Sequence, residues 1–168
     1  LTLVDYDGMF VPAMKGQKSP TIGTKDFSHP LRNIEDFDET IDDFALASML
    51  LSLYAMSKDV SLYDRYGSCG RLLFANSDYL SPKDSWLMDS LLDSFETAFS
   101  HSAFLLFVSS CVSTNYNEVL EKFYCVLKLW WEMEIPRYWE LSTDDFIIDE
   151  FGVKYSTNGK ILLNAPDD

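Results

Sequence analysis

The sequence is poor in basic residues. It contains 13 Lys and Arg against 27 Asp and Glu, which gives its 168 residues a formal net charge of −14. A surface this acidic repels the phosphate backbone of nucleic acids and the headgroups of anionic lipids, and no cluster of Lys or Arg interrupts it. We therefore expect the protein to bind neither nucleic acid nor an anionic membrane surface.

Long apolar runs are also missing. The most apolar stretch, residues 103–111, falls short of the roughly 20 residues that a helix needs to cross a bilayer, and no signal peptide is recognisable. These observations predict no membrane span and a cytoplasmic location. The sequence starts at Leu1 without a Met, so we expect the native N-terminus to lie upstream.

Cysteine and histidine are scarce, and their spacing suits no metal site. Cys69, Cys111 and Cys125 form neither a CxxC pair nor an even set, which predicts three free thiols in a reducing compartment. His29 and His101 have no Cys or His at zinc-binding distance in the sequence. We predict that both histidines are structural or lie on the surface.

Apolar residues, by contrast, are plentiful at 47%, enough for one compact core. Helical periodicity predicts helices near 41–56, 82–99 and 117–131. The first is apolar nearly all round, which predicts a central helix surrounded by protein, and the hydroxyl of Thr40 is the predicted cap. Residues 103–112 fit a buried helix or a strand equally well.

The two ends of the chain differ from this helical middle. Residues 1–8 predict a short buried strand that opens into a turn. Residues 9–30 are rich in Gly and Pro and lack a periodic apolar face, which predicts an irregular, mobile loop. An acidic connector is predicted at 135–150, and Asn158-Gly159 between two short apolar runs predicts a β-hairpin within 151–168.

Asp5 and Asp7 are the residues with the most evident chemistry. They directly follow the apolar run 1–4 in the stretch Asp5-Tyr6-Asp7-Gly8. An acid at the end of a buried strand is placed to hold a divalent cation or to act as a nucleophile, and a second acid two residues later shares the ion or the proton. The ordinary alternative is a simple turn, because Asp-Gly favours turns whatever the chemistry.

Three elements in order resemble the C-terminal lobe of protein kinases, in an atypical bacterial branch. Residues 4–7 (Val-Asp-Tyr-Asp) resemble the end of the strand that carries the Asp-Phe-Gly motif, and the loop 9–27 resembles an activation segment. Residues 28–30 (Ser-His-Pro) stand where Ala-Pro-Glu closes that segment. Residues 42–47 (Asp-Asp-Phe-Ala-Leu-Ala) resemble the Asp-x-Trp-Ser-Leu-Gly start of the central helix.

This resemblance implies a serine/threonine-protein-kinase-like phosphotransferase that uses ATP and Mg²⁺. Asp5 would bind the magnesium next to the nucleotide, with Asp7 as a further ligand. His29, Pro30 and Asp42 would have structural roles, and Asp42 would hydrogen-bond the catalytic-loop backbone. Asp7 stands where the family has Gly, which puts the conformation of this loop in doubt.

The sequence lacks the other parts of a kinase site. No Gly-rich loop, β3 Lys, αC Glu or His-Arg-Asp loop is present, so the chain alone should have no catalytic residues and bind no cofactor. Its expected partner is the N-lobe of a longer protein. Residues 149–166 resemble the lead-in to bacterial cell-surface-type leucine-rich repeats, which would supply protein partners.

The predicted fold is therefore mainly α: a protein-kinase-like C-lobe helical bundle with a short N-terminal strand and a C-terminal hairpin. The expected divisions are 1–134 for the lobe, with a helical core at 40–134, then 135–150 and 151–168.

Two other functions stay open. The first is a non-catalytic pseudokinase scaffold attached to leucine-rich repeats. The second is a haloacid-dehalogenase-like phosphatase, in which Asp5 attacks phosphorus and Asp7 is the general acid/base. The phosphatase requires a central parallel sheet.

Overall fold

The computed structural model describes residues 8–134, 146–148 and 154–156, with side chains over 8–130. This part of the chain is mainly helical, which confirms the predicted fold class at that level. No helix within it is long and apolar enough to cross a membrane. Residues 1–7 of the predicted strand segment 1–8, with Asp5 and Asp7, lie outside the described residues.

Six α-helices and two short strands make up the regular structure of the described ranges. The helices are α1 (Asp43–Lys58), α2 (Ser61–Tyr66), α3 (Asn76–Leu80), α4 (Trp86–Leu91), α5 (Ala98–Val112) and α6 (Tyr116–Glu134). Single 3₁₀ turns lie at Pro12–Met14, Lys25–Phe27, Pro82–Asp84 and Leu92–Ser94. The strands are β1 (Phe146–Ile148) and β2 (Lys154–Ser156).

The core lies where α1, α3 and α5 meet, and aromatic rings fill its centre. Phe44 of α1 packs against Tyr79 and Phe107, with ring centroids 4.9 and 5.3 Å away. Phe74 lies 5.2 Å from Phe107, and all four rings are buried. Aromatic pairs at such distances add to the stabilisation that burial itself gives.

The central helix was predicted over 41–56 and is found at Asp43–Lys58, but its predicted cap is wrong. The hydroxyl of Thr40 donates to Asp38 Oδ1 at 2.6 Å instead of serving the helix. The Asp43 N–H is bound by the backbone carbonyl of Thr40 at 3.0 Å. Asp42 occupies the N-cap position without a side-chain capping bond. The Asp43 amide that the hydroxyl was predicted to cap is therefore already satisfied by the backbone of the preceding turn.

The prediction that protein surrounds this helix on all sides is wrong for one face. Leu46, Leu50 and Leu53 are 45%, 41% and 55% exposed. They lie at spacings of four and three residues, so they form one stripe along α1. We call these three residues the leucine face.

The helix predicted over 82–99 is divided into shorter pieces. Ser85 Oγ accepts a hydrogen bond from Met88 N–H at 3.1 Å and starts α4. Thr97 then starts α5 through reciprocal bonds with Ser100, each 3.1 Å long. Two N-cap signals therefore cut the predicted helix. Residues 103–112, which fitted helix or strand, lie in α5.

One compact unit ends at Leu127 and a second begins at Lys128. In the second unit β1 and β2 pair antiparallel, with Ile147 opposite Tyr155. Residues 154–156 form a strand whose partner lies within the predicted acidic connector. The predicted turn at Asn158-Gly159 and the strand after it fall outside the described residues.

Candidate functional site

The structure describes three of the five predicted site residues. His29 is buried, Pro30 is half-buried and Asp42 is exposed. The ring of His29 meets the ring of Phe44 edge-on at 5.0 Å, so the segment around His29 lies against the start of α1. The hydrogen bond from Asp42 to a catalytic loop stays a prediction.

Both ring nitrogens of His29 are engaged within the chain. Nε2 lies 2.9 Å from the carbonyl oxygen of Ser110, and Nδ1 accepts the Leu31 N–H at 3.1 Å. Since a carbonyl only accepts and the Leu31 amide only donates, the ring is neutral with its proton on Nε2. The ring also stacks on Tyr116 at 3.8 Å. His29 thus joins the end of the 9–30 segment to α5 and to the first turn of α6.

The surroundings of His29 keep it neutral. Burial lowers its pKa from the ordinary value of 6.5, against opposing effects of the Ser110 hydrogen bond and the charge of Asp36. A neutral ring with both nitrogens bound offers no free lone pair to a metal or to an incoming proton. The arrangement suits a structural connection between elements.

A small, partly enclosed cavity lies beside His29. Its volume is about 40 Å³, room for about three or four water molecules, since each needs about 10–15 Å³. Cofactor pockets measure about 300–1,000 Å³, so no nucleotide fits here. The lining residues come from both ends of the compact unit: Phe27, Ser28, His29, Arg32, Asp36, Asp38, Thr40, Ile41, Phe44, Tyr116 and Asn117.

Two residues of the cavity lining have buried polar atoms without a hydrogen-bond partner in the described part of the chain. They are Arg32 Nε, a donor, and Asn117 Oδ1, an acceptor. The Nη2 atom of Arg32 is engaged, since it donates to the carbonyl of Thr21 at 3.4 Å. One unmet donor and one unmet acceptor around a water-sized space are complementary to bound water.

Charges of both signs surround this cavity. Burial raises the pKa of Tyr116, the nearby carboxylates of Asp36 and Asp38 add to the rise, and Arg32 opposes it. A small anion would meet the two carboxylates, and a cation would meet the Arg32 guanidinium. The cavity therefore favours a neutral polar occupant. Among the residues that the structure describes, no group of three His, Cys, Asp or Glu side chains is placed to hold a metal ion.

All three cysteines are free thiols, as predicted. Cys111 is buried in α5 and its Sγ lies 3.3 Å from the carbonyl oxygen of Phe107. Burial raises its pKa to about 12. Because the thiolate is the reactive form, Cys111 is not a nucleophile at neutral pH.

The segment predicted to be an activation loop is fixed at its C-terminal end. Asp26 Oδ1 accepts the Asn76 N–H at 2.8 Å, and the carbonyl of Asp26 accepts the Tyr79 hydroxyl at 2.8 Å. Ser28 Oγ donates to the carbonyl of Ile22 at 2.9 Å. Residues 15–25, in contrast, are exposed except for Ser19.

We expect backbone amides in 13–24 to exchange hydrogen much faster than those in 44–54. The exposed loop buries little apolar surface to offset an ordering cost of about 1–2 kcal/mol per residue. Hydrogen-exchange mass spectrometry of the native chain measures the difference, with residues 25–29 as an internal reference for an anchored segment. Equal protection of 13–24 and 44–54 would show a packed structural element and remove the main support for an activation segment.

Comparisons of the chain with protein-family models, with curated proteins and with solved structures gave no match. Support for a function therefore comes from the order of its motifs, the contacts of His29 and the leucine face of α1.

Proposed function

We propose that this chain is the C-lobe part of an atypical protein-kinase-like phosphotransferase. Asp5 binds Mg²⁺ beside the phosphates of ATP, and Asp7 is a further ligand. The nucleotide-binding lobe and the catalytic loop come from a longer polypeptide, so the chain alone transfers no phosphate. Residues 149–166 lead into leucine-rich repeats that bind protein partners.

The leucine face is the observation that carries this proposal. One side of α1 is fully buried through Phe44, Ala47, Leu51 and Ala55, whereas Leu46, Leu50 and Leu53 remain about half exposed on another. A central helix with one apolar side uncovered is suited to receive a further element of the same protein. Each leucine buried there would stabilise the assembly by about 1 kcal/mol or more.

The contacts of residues 28–30 support the same assignment. In a kinase-like lobe, the end of the activation segment lies against the helical core. His29 does so here through the Ser110 carbonyl and the ring of Tyr116. Asp26 extends these contacts to α3.

The alternatives differ in what they require. A haloacid-dehalogenase-like phosphatase needs a parallel sheet, whereas the strands β1 and β2 in the described ranges form an antiparallel pair. The pseudokinase scaffold shares the C-lobe and differs only upstream of Leu1. A His-Arg-Asp-like loop and a β3-type Lys in the full-length translation favour the enzyme, and their loss favours the scaffold.

We expect ATP with Mg²⁺ to shift the melting temperature of this chain no more than Mg²⁺ alone, because Asp5 acts without a phosphate clamp. The full-length protein should bind ATP and transfer phosphate, and Asp5→Asn should abolish the transfer. Thermal-shift and radiolabelled phosphotransfer assays measure the two effects. Hydrolysis of p-nitrophenyl phosphate by the isolated chain, lost in Asp5→Asn, would establish the phosphatase instead.

A variant of the leucine face extends the same experiment. In the full-length protein, Leu50→Lys should impair phosphotransfer because it places a charge in a buried contact. Val60→Lys, which changes an even more exposed residue beyond the end of α1, is the matched control. Equal activity of both variants would mean that the leucine face is not covered.

A further inference from the structure

A second concave surface lies on another part of the compact unit. It is an open groove of about 540 Å³. Its most exposed apolar side chains are Trp86, 83% exposed, and Leu80, 62% exposed. The lining also includes Tyr66, Leu87, Asp78 and Asp84. A tryptophan this exposed beside a second large apolar side chain is typical of a protein-interaction surface.

Buried side chains and local hydrogen bonds fix the shape of the groove. Leu87 and Met88, the two residues after Trp86, are buried. Ser85 Oγ donates to Asp78 Oδ1 at 2.7 Å, and Asp78 Oδ2 accepts the Ala75 N–H at 2.7 Å. These bonds connect the start of α4 to the start of α3. Trp86 is thus presented on a fixed element, which lowers the entropy cost of binding.

The charged residues that line the groove indicate what kind of partner it binds. Asp78 and Asp84 line the groove, and no Lys or Arg is among its lining residues. Two nearby cations have partners of their own. The Arg65 guanidinium pairs with Asp59 at 2.7 Å, and the Arg71 guanidinium donates to the backbone carbonyl of Tyr66. Lys83 is exposed next to the groove and weakens its negative potential without cancelling the two carboxylates.

We propose that this groove binds a basic peptide segment of a partner protein. A large apolar side chain of the segment packs against Leu80. A neighbouring Lys or Arg lies over the Trp86 ring, where cation–π attraction operates, with Asp84 as its counter-charge. A second copy of this chain is disfavoured, because two chains with a net charge of −14 repel each other.

Titration with designed peptides tests this proposal, which is independent of the kinase-like assignment. The probe is a synthetic twelve-residue peptide that alternates Lys or Arg with Leu and Phe, and a Glu-for-Lys version is its control. Protein labelled with ¹⁵N-tryptophan has four indole signals, one for each Trp, and Trp86→Phe identifies the one from Trp86. We expect the basic peptide to move the Trp86 signal and the acidic peptide to leave it unchanged.

Three variants complete the test. Trp86→Ala should weaken binding by about ten-fold or more, as expected for a central aromatic anchor. Asp84→Asn should weaken it several-fold, with the difference shrinking at high salt. Val60→Ala, a change at a comparably exposed apolar residue outside the groove, should have no effect.

Four results would overturn the proposal: no binding of the basic peptide, equal binding of the acidic one, affinity unchanged in Trp86→Ala, or a concentration-dependent Trp86 shift without peptide. The last would identify a second copy as the occupant. Circular dichroism checks that every variant is folded.

Discussion

Replacing Phe107 by alanine should lower the free energy of unfolding by about 3–5 kcal/mol. Phe107 of α5 is completely buried and packs against Phe44 of α1 and against Phe74 and Tyr79 in and just before α3. Its removal leaves a cavity where these rings meet. The surrounding elements cannot close it without breaking other ring contacts, so the loss should lie toward the upper end of that range.

Leu105→Ala is the matched control for this change. It lies on the same helix, two residues away, but its side chain is substantially exposed, so we expect a loss below about 1 kcal/mol. Urea denaturation followed by circular dichroism measures both. Similar losses for the two variants would mean that α5 does not pack on the aromatic core as described.

The periodicity of the sequence was enough to place the main helices. The apolar repeat at 41–56 and the stripe at 117–131 correspond to α1 and α6 within a few residues. Leu87, Leu91 and Phe95 are buried as their spacing predicted, although they do not lie on one continuous helix. The spacing of apolar side chains, which is local in the sequence, indicated that these three residues are buried, but it did not predict the exposure of the leucine face.

Helix ends were harder to predict because several polar groups compete for the same backbone atoms. Ser81-Pro82 gave the expected start signal, yet it begins only a 3₁₀ turn, and Ser85 caps α4 instead. Thr40 has the right position for a cap but bonds Asp38. Which of several nearby hydroxyls serves a helix end depends on the tertiary position of the preceding loop, which periodicity does not contain.

The cavity beside His29 could not be predicted from the sequence either, because it too depends on tertiary structure. His29, Arg32 and Asn117 lie far apart along the chain or on irregular segments, and no spacing rule connects them. The sequence predicted a structural or surface role for His29 from its lack of nearby ligands. Its stacking on Tyr116 and its bond to Ser110 depend on how α5 and α6 are arranged, and that arrangement is set by the aromatic core.

Acidification should destabilise the protein through His29. Burial lowers the pKa of the folded-state histidine below 6.5, so the unfolded state binds the proton more strongly. The stabilisation that comes from neutral His29 is complete above pH 6.5 and is lost as the pH falls toward the folded-state pKa. The slope can reach about 1.4 kcal/mol per pH unit. Protonating Nδ1 also costs the hydrogen bond from the Leu31 amide.

The difference between the wild-type protein and His29→Gln isolates this effect from the many carboxylates. Asp43 has the opposite pH dependence, because burial and the charges of Asp42, Asp38 and Glu121 raise its pKa above 3.8, so its contribution to stability increases as the pH falls. That contribution is present in both proteins and cancels in the difference. Urea denaturation is measured between about pH 5 and pH 8, the range in which histidine ordinarily titrates. On acidification the wild type should lose stability relative to His29→Gln. An NMR titration that finds the His29 ring protonating at or above pH 6.5 would contradict the assignment of a neutral, doubly bonded histidine.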